Sequence, residues 1–114
     1  MAEFEHRVQC NDSHVLLTLA GQLSIEALPD LDSVLAETPT SKPWVIVDLA
    51  GVEFLGSPAI AALILLQRRT AATGGRVALV GARPQIARVL DLSGVQVVMT
   101  IAPTAAAVLT GPTQ

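Results

Sequence analysis

Tyrosine is absent from this chain of 114 residues, and Phe4, Phe54 and Trp44 are its only aromatic side chains. A platform for stacking nucleobases is therefore excluded, and the core must be built from Val, Leu, Ile and Ala. Basic residues are also scarce. Seven Lys and Arg stand against ten Asp and Glu, for a formal net charge of -3. A nucleic-acid groove needs a basic patch, so no nucleic-acid partner is expected. Cys10 is the single cysteine, which rules out an intramolecular disulfide and a cysteine-rich zinc site. The longest apolar run, Pro58 to Leu66, falls far short of the ~20 residues that span a bilayer, so no direct membrane insertion is expected. Met1 to His6 lacks the apolar core of a signal peptide. Together these features set the expectation of a soluble, cytoplasmic protein.

What is present is apolar. Hydrophobic residues make up 51% of the chain and charged ones 15%. At this length that supports a single domain over residues 1–114 with a buried core rather than a disordered chain. The richest stretch is Val45 to Leu66. Val45 to Leu49 is a short apolar run with β-branched residues, as expected of a strand covered on both faces and central in its sheet. Gly51 reads as its break. Ser57-Pro58 then opens a second apolar run. Ser is a preferred N-cap, and Pro is favoured at the position after it. Ser57 is therefore expected to cap a helix at the mouth of a strand–helix turn.

The remaining elements follow from periodicity and punctuation. Glu3 to Gln9 reads as a first strand and His14 to Ala20 as a second, joined by the turn residues Asn11-Asp-Ser13 and ended by Gly21. Ile25, Leu28, Leu31, Val34 and Leu35 have helical spacing, with Pro29 placing the start near Ala27 or Leu28. The helix from Ser57 runs to about Ala72 and stops at Gly74-Gly75, with Arg68 and Arg69 suited to its C-terminal end. Arg76 to Val80 is a fourth strand, and Pro84 to Leu92 a third helix stopped by Ser93-Gly94. Val97 to Ile101 is a fifth strand, Pro103 to Leu109 a last helix, and the tail 110–114 frays. After the initial hairpin, strands and helices alternate, which implies parallel pairing through right-handed crossovers. The fold class is α/β, with a mixed, mostly parallel sheet of about five strands and about four helices.

No catalytic constellation emerges. Asp30, Asp32, Asp48 and Glu53 are scattered. His6 and His14 lie on neighbouring strands and could face each other, but two histidines do not make a metal site. The glycines Gly74 and Gly75 precede a strand, whereas phosphate loops follow one and open a helix. Ser57 lacks the G-x-S-x-G frame and an identifiable His base. No enzyme activity, metal or cofactor is expected. What remains is a serine at a helix mouth beside an apolar helix.

The stretch Val47-Asp-Leu-Ala-Gly-Val-Glu-Phe-Leu-Gly-Ser-Pro-Ala-Ile-Ala-Ala-Leu63 resembles the central motif of the STAS domain family, the anti-sigma factor antagonists and their relatives, whose pattern is roughly D-L-S-x-V-x-F-[ML]-D-S-[ST]-G-[LI]. Leu19-Ala-Gly-Gln-Leu-Ser24 resembles the family's L-x-G-E-L-D, and Leu90-Asp-Leu-Ser-Gly-Val95 its F-x-x-S-G-L. The resemblance implies a STAS-like fold and a partner-switching role. Ser57 falls on the phosphoacceptor serine, and Gln22, Ser24, Gly56, Ser57, Pro58, Ala59 and Ile60 on the partner-binding surface. The implied partner is an anti-sigma factor of the serine-kinase type, with a phosphatase reversing the modification and the free protein monomeric. The sequence departs from the pattern around the serine. Gly56 replaces the acid before it, Pro58 the following Ser/Thr and Ala59 the glycine, while Gln22 and Ser24 replace the acids after the second strand. Those departures leave a second role open, a non-switching STAS subunit of a stress-signalling assembly or of a lipid-transport ATPase complex.

Overall fold

The structure, a computed structural model, describes residues 4–110. Within them five strands form one sheet in the order β1-β2-β3-β4-β5. They are β1 (Phe4–Cys10), β2 (His14–Leu23), β3 (Trp44–Leu55), β4 (Arg76–Val80) and β5 (Thr100–Ala102). β1 and β2 pair antiparallel, and every later pair is parallel. The helices are α1 (Leu28–Glu37), α2 (Ser57–Ala72), α3 (Pro84–Ser93) and α4 (Ala105–Thr110). The expected α/β class, five-stranded sheet and four helices are all present, with β3 at the centre. Thr110, placed in the frayed tail by sequence, is instead the last residue of α4, its hydroxyl donating to the Ala106 carbonyl. Glu3, placed in the first strand by sequence, and residues 111–114 of the tail lie outside the described residues.

Each crossover steps to the next strand in the same direction, so right-handedness puts α1, α2 and α3 on one face of the sheet. The large core lies there. Val15, Leu17 and Leu19 of β2 meet Val45, Val47 and Leu49 of β3, Leu31 and Leu35 of α1, Leu63 and Leu66 of α2, and Ile86 and Leu90 of α3. The opposite face carries a smaller core of Ile46, Ala78 and Val80, covered by Ala105 and Val108 of α4 and flanked by Leu16 and Trp44. Arg69 does not serve the end of its own helix, as its position suggests. It reaches across to α1, where its guanidinium donates to the carbonyls of Leu35 at 2.6 Å and of Ala36 and Thr38 at 3.3 Å. All three carbonyls lie at the C-terminal end of α1, where the regular helical bonds run out, and that of Leu35 also accepts from the Thr38 N–H.

The structure corrects the sequence reading at both glycines of the β2–β3 ladder. Gly21 does not end β2, nor does Gly51 end β3. Both strands continue, to Leu23 and Leu55. The ladder slips between Thr18 and Ala20 and again between Gly21 and Gln22, so the glycines occupy bulges rather than turns. Gly21 takes a left-handed φ of 95°. Gly51 sits opposite Ala20, where an added Cβ would fall 2.8 Å from the alanine Cβ. Asp48 belongs to the same irregularity, its Oδ1 accepting from the Ala50 N–H at 2.9 Å.

Three further expectations shift. β5 begins at Thr100, not Val97. Gly94, at a left-handed φ of 78°, feeds a 3-10 turn over Val95–Val97, and the Val97, Val98 and Met99 N–H groups bond back to Gly94 and Val95. Val97 is left 85% exposed while Met99 is buried. α4 begins at Ala105 rather than Pro103, because the Thr104 hydroxyl accepts from the Ala107 N–H at 3.0 Å and caps it. His6 and His14 do not face each other. His6 lies opposite Leu19, whereas His14 starts β2, its ring within hydrogen-bond distance of Asn11 and Ser13.

Candidate functional site

The extension of β2 and β3 beyond their bulges builds a corner at the C-terminal edge of the sheet. Gln22 comes opposite Phe54 and Leu23 opposite Leu55. The Gln22 amide donates to the Glu53 carboxylate at 2.9 Å. The Gly56 N–H donates to the Leu23 carbonyl at 3.0 Å, which ties the start of α2 to the end of β2. Ser24 follows directly, and Ile25–Ala27 forms a 3-10 turn that leads into α1.

Ser57 is not the N-cap. Gly56 holds that position, with extended φ and ψ of -84° and 161°, and its carbonyl accepts from the Ala59 and Ile60 N–H groups at 3.0 and 3.1 Å. Ser57 is already the first helical residue and Pro58 the second. The serine–proline pair is read one position too early because Gly also caps helices, and here the chain turns at Gly56 rather than at Ser57. Ser57 and Pro58 are exposed. The first turn of α2 carries no acidic residue, so no carboxylate offsets the positive end of the helix.

Of the residues expected to contact a partner, Gln22, Ser24, Gly56, Ser57 and Pro58 come together at this corner. Ala59 and Ile60 do not belong to its surface: at 1% and 7% exposure they pack into the large core. A helix turns about 100° per residue, so positions two and three after Ser57 swing inward. In their place the structure brings two apolar side chains that sequence reasoning missed. Phe54 is 48% exposed and Ile25 64%. Phe54 lies against the start of α2, its Cε2 3.4 Å from where a Gly56 Cβ would be. The signal for Phe54 was hidden by Gly51: with the strand ended there, Phe54 had no face to be assigned to. Ile25 was absorbed into the helical spacing of α1.

That combination can bind a protein surface, with exposed apolar groups beside a polar rim and a hydroxyl at a helix start. Among the described residues no group of three or more His, Cys, Asp or Glu is placed to hold a metal ion, and no helix is long and apolar enough to cross a membrane.

The family model described as "Mlab, STAS domain" matches residues 6–103. The chain belongs to the STAS domain family. No curated protein matches it in sequence. Among solved structures, it is similar to an anti-sigma factor antagonist from Mycobacterium paratuberculosis, with 26% identity, a TM-score of 0.82, and coverage of 94% of this chain and 92% of that one. It is also similar to an anti-sigma factor antagonist (STAS) domain protein from Planctomyces limnophilus, with 21% identity, a TM-score of 0.73, and coverage of 91% and 94%. A third is the Bacillus cell fate determinant SpoIIAA in its phosphorylated form, with 19% identity, a TM-score of 0.65, and coverage of 91% and 96%. The fold of this STAS domain is thus shared along nearly its whole length.

Proposed function

We propose that this STAS domain is an anti-sigma factor antagonist that binds its anti-sigma factor through the corner around Ser57. The reading is supported by the Mycobacterium relative, an anti-sigma factor antagonist that aligns over 94% of the chain. The observation that carries it is the placement of Ser57, exposed at the start of α2 where the exposed Phe54 lies against Gly56, with the exposed Ile25 just after the end of β2 that is tied to Gly56. In the finer reading the anti-sigma factor is a serine kinase that phosphorylates Ser57 and thereby ends binding, and a phosphatase restores it. SpoIIAA is itself known in phosphorylated and unphosphorylated forms. A phosphate adds roughly -1.5 to -2 charges at neutral pH. On the first turn of α2 the helix tolerates that charge, whereas at a packed interface it costs desolvation and room. The modification therefore spares the fold and blocks the partner. Such a protein works in the cytoplasm, where its partner is.

The test is to isolate the protein from its native lysate with and without ATP, identify what accompanies it, and look for phosphate on Ser57 by mass spectrometry. Ser57→Ala should keep the partner bound in the presence of ATP. Ser57→Glu should fold normally and bind at least about tenfold more weakly, since a lone charge in an interface costs more than 1.4 kcal/mol. Equal binding by Ser57→Glu and wild type sinks the switch.

Gly56 and Pro58 favour a second reading, because they replace the acid and the hydroxyl that flank the serine in the family pattern. Under it the domain is a constitutive subunit that uses the same corner without modification. Co-purification of a transport ATPase in place of an anti-sigma kinase, with no phosphate on Ser57, would establish it.

A further inference from the structure

The two edges of the sheet differ. β5 is three residues long, but β1 offers seven, and six of them are exposed. Its far side meets no other strand among the described residues. An unpaired strand of that length is a template for another strand unless its side chains oppose pairing. The register with β2 fixes which side chains share a face. Glu5, Arg7 and Gln9 lie opposite Ala20, Thr18 and Leu16, on the α4 side. Phe4, His6 and Val8 lie opposite Gly21, Leu19 and Leu17, on the side of the large core. There the Phe4 and His6 rings stack at 5.8 Å, and Val8 is 40% exposed.

We propose that β1 pairs antiparallel with β1 of a second copy of this chain, about a two-fold axis that sets His6 opposite the partner's His6. A two-fold axis that keeps both helix layers on one side of a continuous sheet must pass beside a residue and its own copy. Few registers satisfy this, and the charges separate them. Centred on His6, Glu5 faces the partner's Arg7 and Arg7 faces the partner's Glu5 on one face. On the other face Phe4 meets the partner's Val8, and Val8 the partner's Phe4. Centred on Glu5, two carboxylates meet; centred on Arg7, two guanidiniums meet. Centred on Val8, Arg7 faces the partner's Gln9, and Glu5 passes the end of the strand. Only the His6 register joins opposite charges and apolar side chains together. A foreign strand would need the complement of this pattern, whereas a second copy supplies it by symmetry. The corner around Ser57 is built on the ends of β2 and β3, both on the inner side of β1, so pairing along the outer edge of β1 leaves it open. The expectation of a free monomer is replaced by a concentration-dependent equilibrium, because a seam between two strands is smaller than the ~1,200 Å² of a stable interface.

Sedimentation equilibrium of the full chain, from micromolar to millimolar concentration at low salt, tests this independently of any anti-sigma partner. Wild type should form a reversible dimer that salt weakens. Glu5→Arg and Arg7→Glu should each weaken it at least about tenfold by setting like charges opposite, with circular dichroism unchanged. The double variant Glu5→Arg/Arg7→Glu restores both pairs and should dimerise as wild type does. A wild type that stays monomeric throughout, an Arg7→Glu variant with undiminished dimerisation, or a double variant no stronger than the singles would overturn the proposal.

Discussion

At the residue scale, the position of Ser57 decides what its substitutions do to stability. An N-cap serine is worth about 1 kcal/mol to its helix. At the first helical position the hydroxyl has no such duty, because the Gly56 carbonyl begins the hydrogen bonding of α2. Ser57→Ala should therefore change the unfolding free energy, read from urea titration, by less than about 0.5 kcal/mol, as ordinary surface substitutions do. The position with something to gain is Gly56. Its φ of -84° suits any residue, and an added Cβ would make only ordinary contacts at 3.4 Å or more. Gly56→Asp should stabilise the domain by a few tenths of a kcal/mol, through a better cap on a helix that lacks acids in its first turn. A larger loss for Ser57→Ala than for Gly56→Ala in the same urea titration would show that the serine does cap the helix.

At the element scale, the β2–β3 ladder gives the site its reach. Had the strands stopped at Gly21 and Gly51, Gln22 and Glu53 would not meet and Phe54 would hang in a loop. The bulge depends on backbone approach at Gly51, where a methyl group would collide with Ala20 at 2.8 Å. Gly51→Ala should cost about 1–3 kcal/mol, the usual penalty for overpacking. Most of that loss should vanish in an Ala20→Gly background, measured as a double-mutant cycle by chemical denaturation. If the two changes are additive, the collision is not the cause. The same variant should also weaken partner binding, since it displaces the strand ends that carry Gln22 and Phe54.

At the scale of the whole molecule, the two faces of the sheet are unequal. Three helices bury the large core, while six-residue α4 covers part of the other face. Leu63, fully buried where α2 meets the sheet, should cost about 2–5 kcal/mol when cut to Ala. That is a large share of the roughly 5–15 kcal/mol that holds a domain together. Val108 of α4 is only partly buried, and Val108→Ala should cost under about 1 kcal/mol. Thermal unfolding of the pair checks the asymmetry; equal losses would mean that α4 is as integral as α2. Such an arrangement leaves the β1 side of the sheet and the Ser57 corner as separate surfaces on one rigid support.

The sequence by itself determined the order of the elements, because their signals are local. Alternation marks β2, the unbroken apolar run marks β3 as central, and Pro29, Pro58 and Pro84 each mark a first helical turn. Gly74 and Gly94 stop their helices. The serine at the start of α2 was legible for the same reason, to within one residue. What the sequence left to the tertiary structure depends on partners distant along the chain. Gly21 and Gly51 carry the same local preference in a turn as in a bulge, and only the opposing strand distinguishes the two. Ala59 and Ile60 look like neighbours of Ser57 until the helix is docked, when its rotation commits them to the core. Val97 and Val98 have the composition of a strand, but the turn set by Gly94 claims their N–H groups first. Phe54 and Ile25, two large apolar side chains in an apolar chain, became candidates for binding only once packing had left them outside.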